Sequence, residues 1–200
     1  MSKKLKIIGL AGTNGSGKDT VGRILADKYG YLFVSVTDIL REEALRRGLE
    51  PNRENLRTIS ADWRRQTGQL GVLVDKALAE FEESLGNYAG LAIASLRNPG
   101  EADHIHELGG TVVWVDADPH RRYDRIQKNA ASRGRPEEDN KTFEQFQADE
   151  AAEMNQSGDA ATLDTSAVRS RCDQFIQNDT SDMKAFQTIV GKVLGLTGVQ

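Results

Sequence analysis

Residues 9–20 read GLAGTNGSGKDT and stand between a short apolar run, LKII at residues 5–8, and the segment VGRILADKYG at residues 21–30. From Gly12 to Lys18 the stretch fits the pattern G-x-x-x-x-G-K. Its glycines let backbone N–H groups converge on a phosphate without hindrance from Cβ atoms. A helix that begins near Lys18 points its positive end at the same anion, and the lysine can reach the outer phosphates of a nucleotide. The stretch therefore predicts a phosphate-binding loop between a strand and a helix.

Apolar runs of strand length recur along the 200 residues of the chain. The runs IIGLA, LAIAS and TVVWV are continuously apolar, which is typical of strands covered by helices on both faces of a parallel sheet. The sequence therefore predicts an α/β fold with a parallel sheet and right-handed crossovers. The predicted strands are Lys6–Leu10, Tyr31–Ser35, Leu91–Leu96, Thr111–Asp116 and Gln174–Asn178.

Helix-like stretches lie between these strands, and two of the connections, residues 37–88 and 119–173, are too long to be simple crossovers. We expect both to be excursions at the carboxyl edge of the sheet, where ligands bind in such folds. The polar stretch Gln156–Ser170 is predicted to be a loop. The predicted helices are Asp19–Tyr29, Thr37–Arg47, Arg53–Gln66, Val72–Ser84, Gly100–Leu108, Pro119–Ala131, Thr142–Met154 and Met183–Leu194.

The composition indicates one domain over residues 1–200 and bounds the partners of the protein. The formal net charge of −4 argues against a nucleic-acid partner, which would favour a basic surface. Cys172 is the single cysteine, so no disulfide can form within the chain. No apolar run approaches the roughly 18–20 residues that span a bilayer. We therefore expect a cytoplasmic protein with no membrane or nucleic-acid partner.

Asp19 follows the loop lysine where a hydroxyl residue is usual, and Thr20 supplies the hydroxyl one position later. This G-K-D-T sequence resembles adenylate kinases and other nucleoside monophosphate kinases, among them some deoxynucleoside monophosphate kinases. The resemblance implies a P-loop NTPase fold with strand order 2-3-1-4-5, and ATP and Mg²⁺ as cofactors. It implies that Asp19 and Thr20 lie near the metal, although Asp19 could instead cap the helix. The implied nucleotide-binding residues are Gly12, Asn14, Gly15, Ser16, Gly17, Lys18, Asp19, Thr20 and Asn178.

The acceptor side of the resemblance lies in residues 37–88. The run from Arg41 to Gly68 resembles kinases related to adenylate and dephospho-coenzyme A kinases, whose pattern reads roughly REEAxxxGLxPxRENLRxxxxxLRxxxG. The resemblance implies that this insertion binds a small phosphorylated acceptor. The implied acceptor residues are Asp38, Arg41, Arg64 and Arg97, with Arg53 and Arg57 as further candidates.

Residues 119–155 resemble the lid that closes over the transferring phosphoryl group and excludes water from it. Arg133 and Arg135 flank Gly134 and are the arginines that the resemblance places over that group. Further lid candidates, Arg122 and Arg125, share one face of a predicted helix. The implied catalytic residues are Lys18, Arg97, Arg133 and Arg135.

The third predicted strand ends without a carboxylate, since no Asp or Glu occurs between Tyr88 and Asn98. Ser95 stands about where such kinases often carry an acidic residue. An acceptor that is already an anion needs no strong base, so the gap favours a (deoxy)nucleoside monophosphate. Two alternatives stay open: a dephospho-coenzyme A kinase-like enzyme with Asp38 as its base, and an ATP-binding switch or assembly ATPase without a small acceptor.

Overall fold

The computed structural model describes residues 5–84, 86–133, 141–154 and 158–196. Within these ranges five strands form one parallel sheet in the order β2-β3-β1-β4-β5, which confirms the expected P-loop NTPase topology. The strands are β1 Ile7–Gly12, β2 Tyr31–Ser35, β3 Gly90–Leu96, β4 Thr111–Asp116 and β5 Gln174–Gln177.

The eight predicted helices are present, and their ends lie within two residues of the predicted ends. A ninth helix, Thr165–Ser170, corrects the prediction of a loop over this stretch. It forms because the side chain of Asp164 accepts a hydrogen bond from the amide of Ala167 at 2.8 Å, and because Val168 is buried. The helices are α1 Lys18–Tyr29, α2 Val36–Arg46, α3 Arg53–Thr67, α4 Val72–Glu83, α5 Pro99–Glu107, α6 Pro119–Arg133, α7 Phe143–Met154, α8 Thr165–Ser170 and α9 Met183–Val193.

Two hydrophobic cores cover the two faces of the sheet, as the continuously apolar strands predicted. Ile7 and Ala11 of β1 belong to the core beneath α2, α3, α4 and α5, which also holds the fully buried Trp114. Ile8 and Leu10 belong to the core beneath α1 and α9. Within the described ranges, no helix combines the length and the apolar character that crossing a membrane requires.

The carboxyl ends of β1 and β3 lie side by side at one edge of the sheet. Leu10 pairs with Ala94 but Ala11 pairs with Leu96, so Ser95 forms a bulge in β3. Ser95 has a φ of 72°, a left-handed conformation that is uncommon outside glycine. The bulge lies just before Arg97, and the phosphate-binding loop follows β1 directly. The fold therefore brings the two predicted halves of the site to one edge.

Candidate functional site

The phosphate-binding loop requires glycine at positions where other parts of the fold approach its backbone. Gly12 and Gly17 have φ angles of 147° and 97°. A Cβ atom on Gly17 would lie 2.4 Å from the side-chain nitrogen of Asn178. Gly17 is the N-cap of α1, and Asp19 is exposed in the first turn. The alternative that Asp19 caps this helix is therefore wrong.

Polar groups of the loop are arranged as an anion would need them. The hydroxyl of Ser16 is buried, and no described residue makes a hydrogen bond with it. Lys18 is only 7% exposed, and its Nζ lies 3.4 Å from the carbonyl oxygen of Thr13. A buried hydroxyl and a lysine held against the loop fit the phosphates of a nucleotide, which accept hydrogen bonds from both.

Residues at the ends of β4 and β5 support the loop from below. The side-chain nitrogen of Asn178 donates to the carbonyl oxygen of Ser16 at 2.8 Å, and its backbone N–H donates to that of Asp116 at 2.7 Å. The Oδ1 atom of Asp116 accepts from the hydroxyl of Thr13 at 3.1 Å. Asn178 thus braces the loop, and its expected role near the base of the nucleotide stays a prediction.

A cavity of about 800 Å³ extends from the loop to α2 and α3, a size that suits a small-molecule site. Among the described residues that line it, cationic side chains outnumber carboxylates by eight to four, so the cavity favours anions. The cations are Lys18, Arg23, Arg41, Arg53, Arg57, Arg64, Arg97 and Arg125, and the carboxylates are Asp19, Asp38, Glu101 and Asp182.

Three arginines that line the cavity outside the loop converge on one point, and we call them the arginine cluster: Arg53, Arg57 and Arg97. Arg53 and Arg57 lie one turn apart on α3, and Arg97 follows β3. All three bind the carboxylate of Glu153 in α7, at distances of 2.7, 2.9 and 2.9 Å. Burial raises the pKa of Glu153, but attraction to Arg97, Arg53 and Arg57 outweighs it, so the pKa lies below its ordinary value.

The structure gives Arg64 a different environment from the one expected. Its guanidinium is 1% exposed and lies 2.5 Å from Glu101, which is equally buried. It also donates to the carbonyl oxygen of Ala161 at 2.9 Å. The other oxygen of Glu101 accepts from the backbone N–H groups of Arg97 and Asn98. Arg64 therefore binds protein groups while it lines the cavity, and its expected role toward the acceptor stays a prediction.

Glu101 was missed because it lies in a helix beyond the end of β3. The sequence did carry a signal for it. Asn98 and Glu101 form the N-x-x-E pattern of a capping box at the start of α5, and both hydrogen bonds of that box are present. The capping carboxylate accepts a hydrogen bond from the backbone N–H of Arg97 and so fixes the position from which the arginine side chain extends.

The remaining substrate residues and the metal residues line the cavity. Asp38 and Arg41 form an ion pair of 2.6 Å on α2. Asp19 and Thr20 carry oxygen donors of the kind that Mg²⁺ prefers, and they lie beside the loop. Their roles toward the acceptor and the metal stay predictions.

The lid candidates have separate surroundings. Arg122 is buried and binds both oxygens of Glu150 in α7, at 2.7 and 2.9 Å. Arg125 donates to the carbonyl oxygens of Asn178 and Thr180, and burial lowers its pKa. The side chain of Arg133 and all of Arg135 lie outside the described residues, so their catalytic role stays a prediction.

Comparison with known proteins places the chain in a family. Residues 8–150 match the family model described as the AAA domain. The UPF0200 protein of Pyrobaculum aerophilum is 30% identical over 192 residues, which cover 95% of this chain and 97% of that relative. The chain belongs to the UPF0200 family. It also carries an AAA domain over the matched residues.

Solved structures share the fold of this UPF0200 chain at low sequence identity. TT1252 from Thermus thermophilus is 21% identical, with a TM-score of 0.57 over 98% of this chain and all of that one. The shikimate kinase of Bacteroides thetaiotaomicron is 13% identical, with a TM-score of 0.59 over 96% of this chain and 99% of that one. These similarities identify the fold as that of a P-loop kinase-like protein.

Proposed function

We propose that this UPF0200 protein is an ATP- and Mg²⁺-dependent kinase that transfers the γ-phosphoryl group to a small phosphorylated acceptor. The favoured acceptor is a nucleoside or deoxynucleoside monophosphate. The observation that carries this proposal is that one cavity is lined both by Lys18 and its loop and by the arginine cluster. A kinase of this type must bring two anions together, and a cavity with such an excess of cations suits that task.

The residues of the cavity divide between the two anions. Bound ATP would supply the phosphoryl group. Lys18, the hydroxyl of Ser16 and the loop amides neutralise the donor phosphates, while Thr20 and Asp19 offer oxygens to Mg²⁺. The arginine cluster and Arg41 hold the acceptor, and Arg133 and Arg135 shield the transferring group from water. No general base is required, because a phosphate acceptor is already ionised.

A hydroxyl acceptor is the second candidate, and the exposure of Asp38 favours it. The side chain of Asp38 is 63% exposed on the cavity wall, so it could take a proton from an acceptor such as dephospho-coenzyme A. Shikimate kinases occur among the proteins that share the fold, so the test must include acceptors that are not nucleotides. An ATP-binding switch without a small acceptor is the remaining alternative.

The test is the production of ADP from ATP and Mg²⁺ with a panel of acceptors. The panel contains the common ribo- and deoxyribonucleoside monophosphates, dephospho-coenzyme A and shikimate. Lys18→Ala should abolish acceptor-dependent turnover, whereas Lys28→Ala, which removes an exposed lysine from the same helix, should not. Turnover with monophosphates alone supports the proposal. Turnover only with a hydroxyl acceptor favours the second candidate, and tight ATP binding without acceptor-dependent turnover favours the switch.

A further inference from the structure

A carboxylate of the protein itself fills the point on which the arginine cluster converges. Glu153 belongs to α7, and its side chain is only 11% exposed. Arg53 and Arg57 bind its Oε1 atom and Arg97 binds its Oε2 atom. Three guanidinium groups therefore surround one carboxylate.

Three guanidinium groups on one point suit an anion with more oxygens than a carboxylate. A phosphate monoester carries up to two negative charges and offers three outer oxygens, one for each guanidinium. A carboxylate offers two oxygens and one charge, and here one oxygen serves two arginines. A phosphate would therefore offer each arginine of the cluster its own oxygen, which Glu153 does not.

We propose that Glu153 is an internal anion that takes the place of the acceptor phosphate in the arginine cluster, and that acceptor binding displaces it and loosens α7. The inference rests on the proposed function in taking this cluster as the acceptor subsite. The apparent affinity for the acceptor is then lower than the affinity of the open cluster, because binding must first break the contacts of Glu153.

The position of α7 connects this displacement to the donor side. The same helix carries Glu150, which binds Arg122, and Arg122 Nη1 lies 3.4 Å from the carbonyl oxygen of Asn14 in the phosphate-binding loop. One helix therefore contacts both the arginine cluster and Arg122, which in turn contacts the loop. The release of Glu153 frees one of these two attachments and leaves the other in place.

The first test measures the binding of inorganic phosphate by calorimetry, with saturating ADP and Mg²⁺ to fill the phosphate-binding loop. Glu153→Gln removes the charge of the internal anion and keeps its size. If Glu153 leaves the cluster open about a tenth of the time, the variant should bind phosphate about tenfold more tightly than the wild type. Equal affinity of the variant and the wild type would overturn the proposal.

Two further variants locate the effect. Asp149→Asn removes the same charge from the same helix, but Asp149 pairs with Lys141 outside the cluster, so phosphate affinity should stay at the wild-type value. Adding Arg57→Gln to Glu153→Gln should remove most of the gain. A gain in Asp149→Asn, or one that survives the loss of Arg57, would place the effect elsewhere and contradict the proposal.

A second measurement needs no variant and so does not depend on how a mutant folds. Phosphate should speed hydrogen–deuterium exchange at the amides of α7 in the wild-type protein, against potassium chloride of equal ionic strength. Unchanged exchange at saturating phosphate would overturn the proposal. These phosphate responses require no turnover, so their presence without any kinase activity would refute the proposed function alone.

Discussion

At the scale of single residues, the buried pair of Arg64 and Glu101 joins α3 to the turn that follows β3. Glu101 holds the backbone N–H groups at the end of β3 and the guanidinium of α3 at once. Two charges taken out of water are stable only while each keeps its partner. The pair therefore joins α3 to the turn that carries Arg97.

Arg64→Ala should destabilise the fold by about 3–5 kcal/mol, because it leaves the carboxylate of Glu101 buried without its ionic partner. The neighbouring change Arg65→Ala is the control, since Arg65 forms an exposed pair with Asp159 and should matter little. Chemical denaturation of both variants measures the difference. Similar midpoints for the two variants would show that the buried pair is not needed for stability.

Arg57→Ala should raise the KM for the acceptor about 10–100-fold, since it removes one charge-assisted hydrogen bond to an anion. The KM for ATP should change little, because Arg57 lies in α3 and not in the phosphate-binding loop. Steady-state kinetics with each substrate varied in turn measure both constants, and Arg65→Ala again serves as the control. A rise in the KM for ATP alone would move Arg57 to the donor side.

At the scale of elements, α7 is attached to the rest of the protein through its acidic face. Glu150 and Glu153 lie about one turn apart and reach different arginines, one beneath the phosphate-binding loop and the other three on the acceptor side. Phe146, one turn earlier on the same face, is buried against Tyr123 of α6. The helix therefore depends on ion pairs as well as on apolar contact.

Glu150→Ala should loosen α7, because it removes both hydrogen bonds by which the helix holds the buried guanidinium of Arg122, while Asp116 lies 3.7 Å from that group and belongs to β4. Amide exchange over residues 143–154 should become faster than in the wild type. Glu144→Ala, in the exposed first turn of the same helix, provides the control. Equal exchange rates in the two variants would show that the pair with Arg122 does not hold the helix.

The contact between α4 and α5 should depend on pH through His104. Partial burial lowers the pKa of His104, but hydrogen bonds with Glu107 and Asp75 raise it by more, so the folded pKa lies above its ordinary value. The stabilisation is therefore complete below the unfolded pKa of about 6.5 and is lost as the pH rises through the folded pKa. His104→Gln should cost more free energy of unfolding at about pH 5.5 than at about pH 9. An equal cost at both values would contradict this prediction.

At the scale of the whole molecule, the loop and the cavity lie at one edge of the sheet, and residues of both cores line the cavity. A ligand that binds only the folded protein stabilises it against unfolding by mass action. ATP with Mg²⁺ should therefore raise the melting temperature, with a gain of about 2.7 kcal/mol at one hundred times the Kd. Lys18→Ala should lose this shift and Lys28→Ala should keep it in thermal denaturation. A shift retained in Lys18→Ala would place the nucleotide elsewhere.

Much of the fold could be predicted because its signals are local. The continuous apolar run of β1 and the glycines of the loop lie within a dozen residues of one another. Each of these segments determines its own backbone conformation. The helix Thr165–Ser170 escaped prediction because it is short and polar and forms through one cap and one buried valine. The bulge at Ser95 also carried no sequence signal, since its left-handed φ depends on how β3 pairs with β1.

The sequence by itself determined that a strand, a phosphate-binding loop and a helix follow one another, and that arginines crowd the segments nearby. Only the tertiary structure decided which charges meet. Arg64 pairs with Glu101 at a separation of 37 residues along the chain, and Arg57 pairs with Glu153 at a separation of 96. Backbone conformation depends on neighbours along the chain, whereas an ion pair depends on which elements the sheet order and the crossovers bring together. For that reason the acceptor arginines could be proposed from sequence, but their internal carboxylate could not.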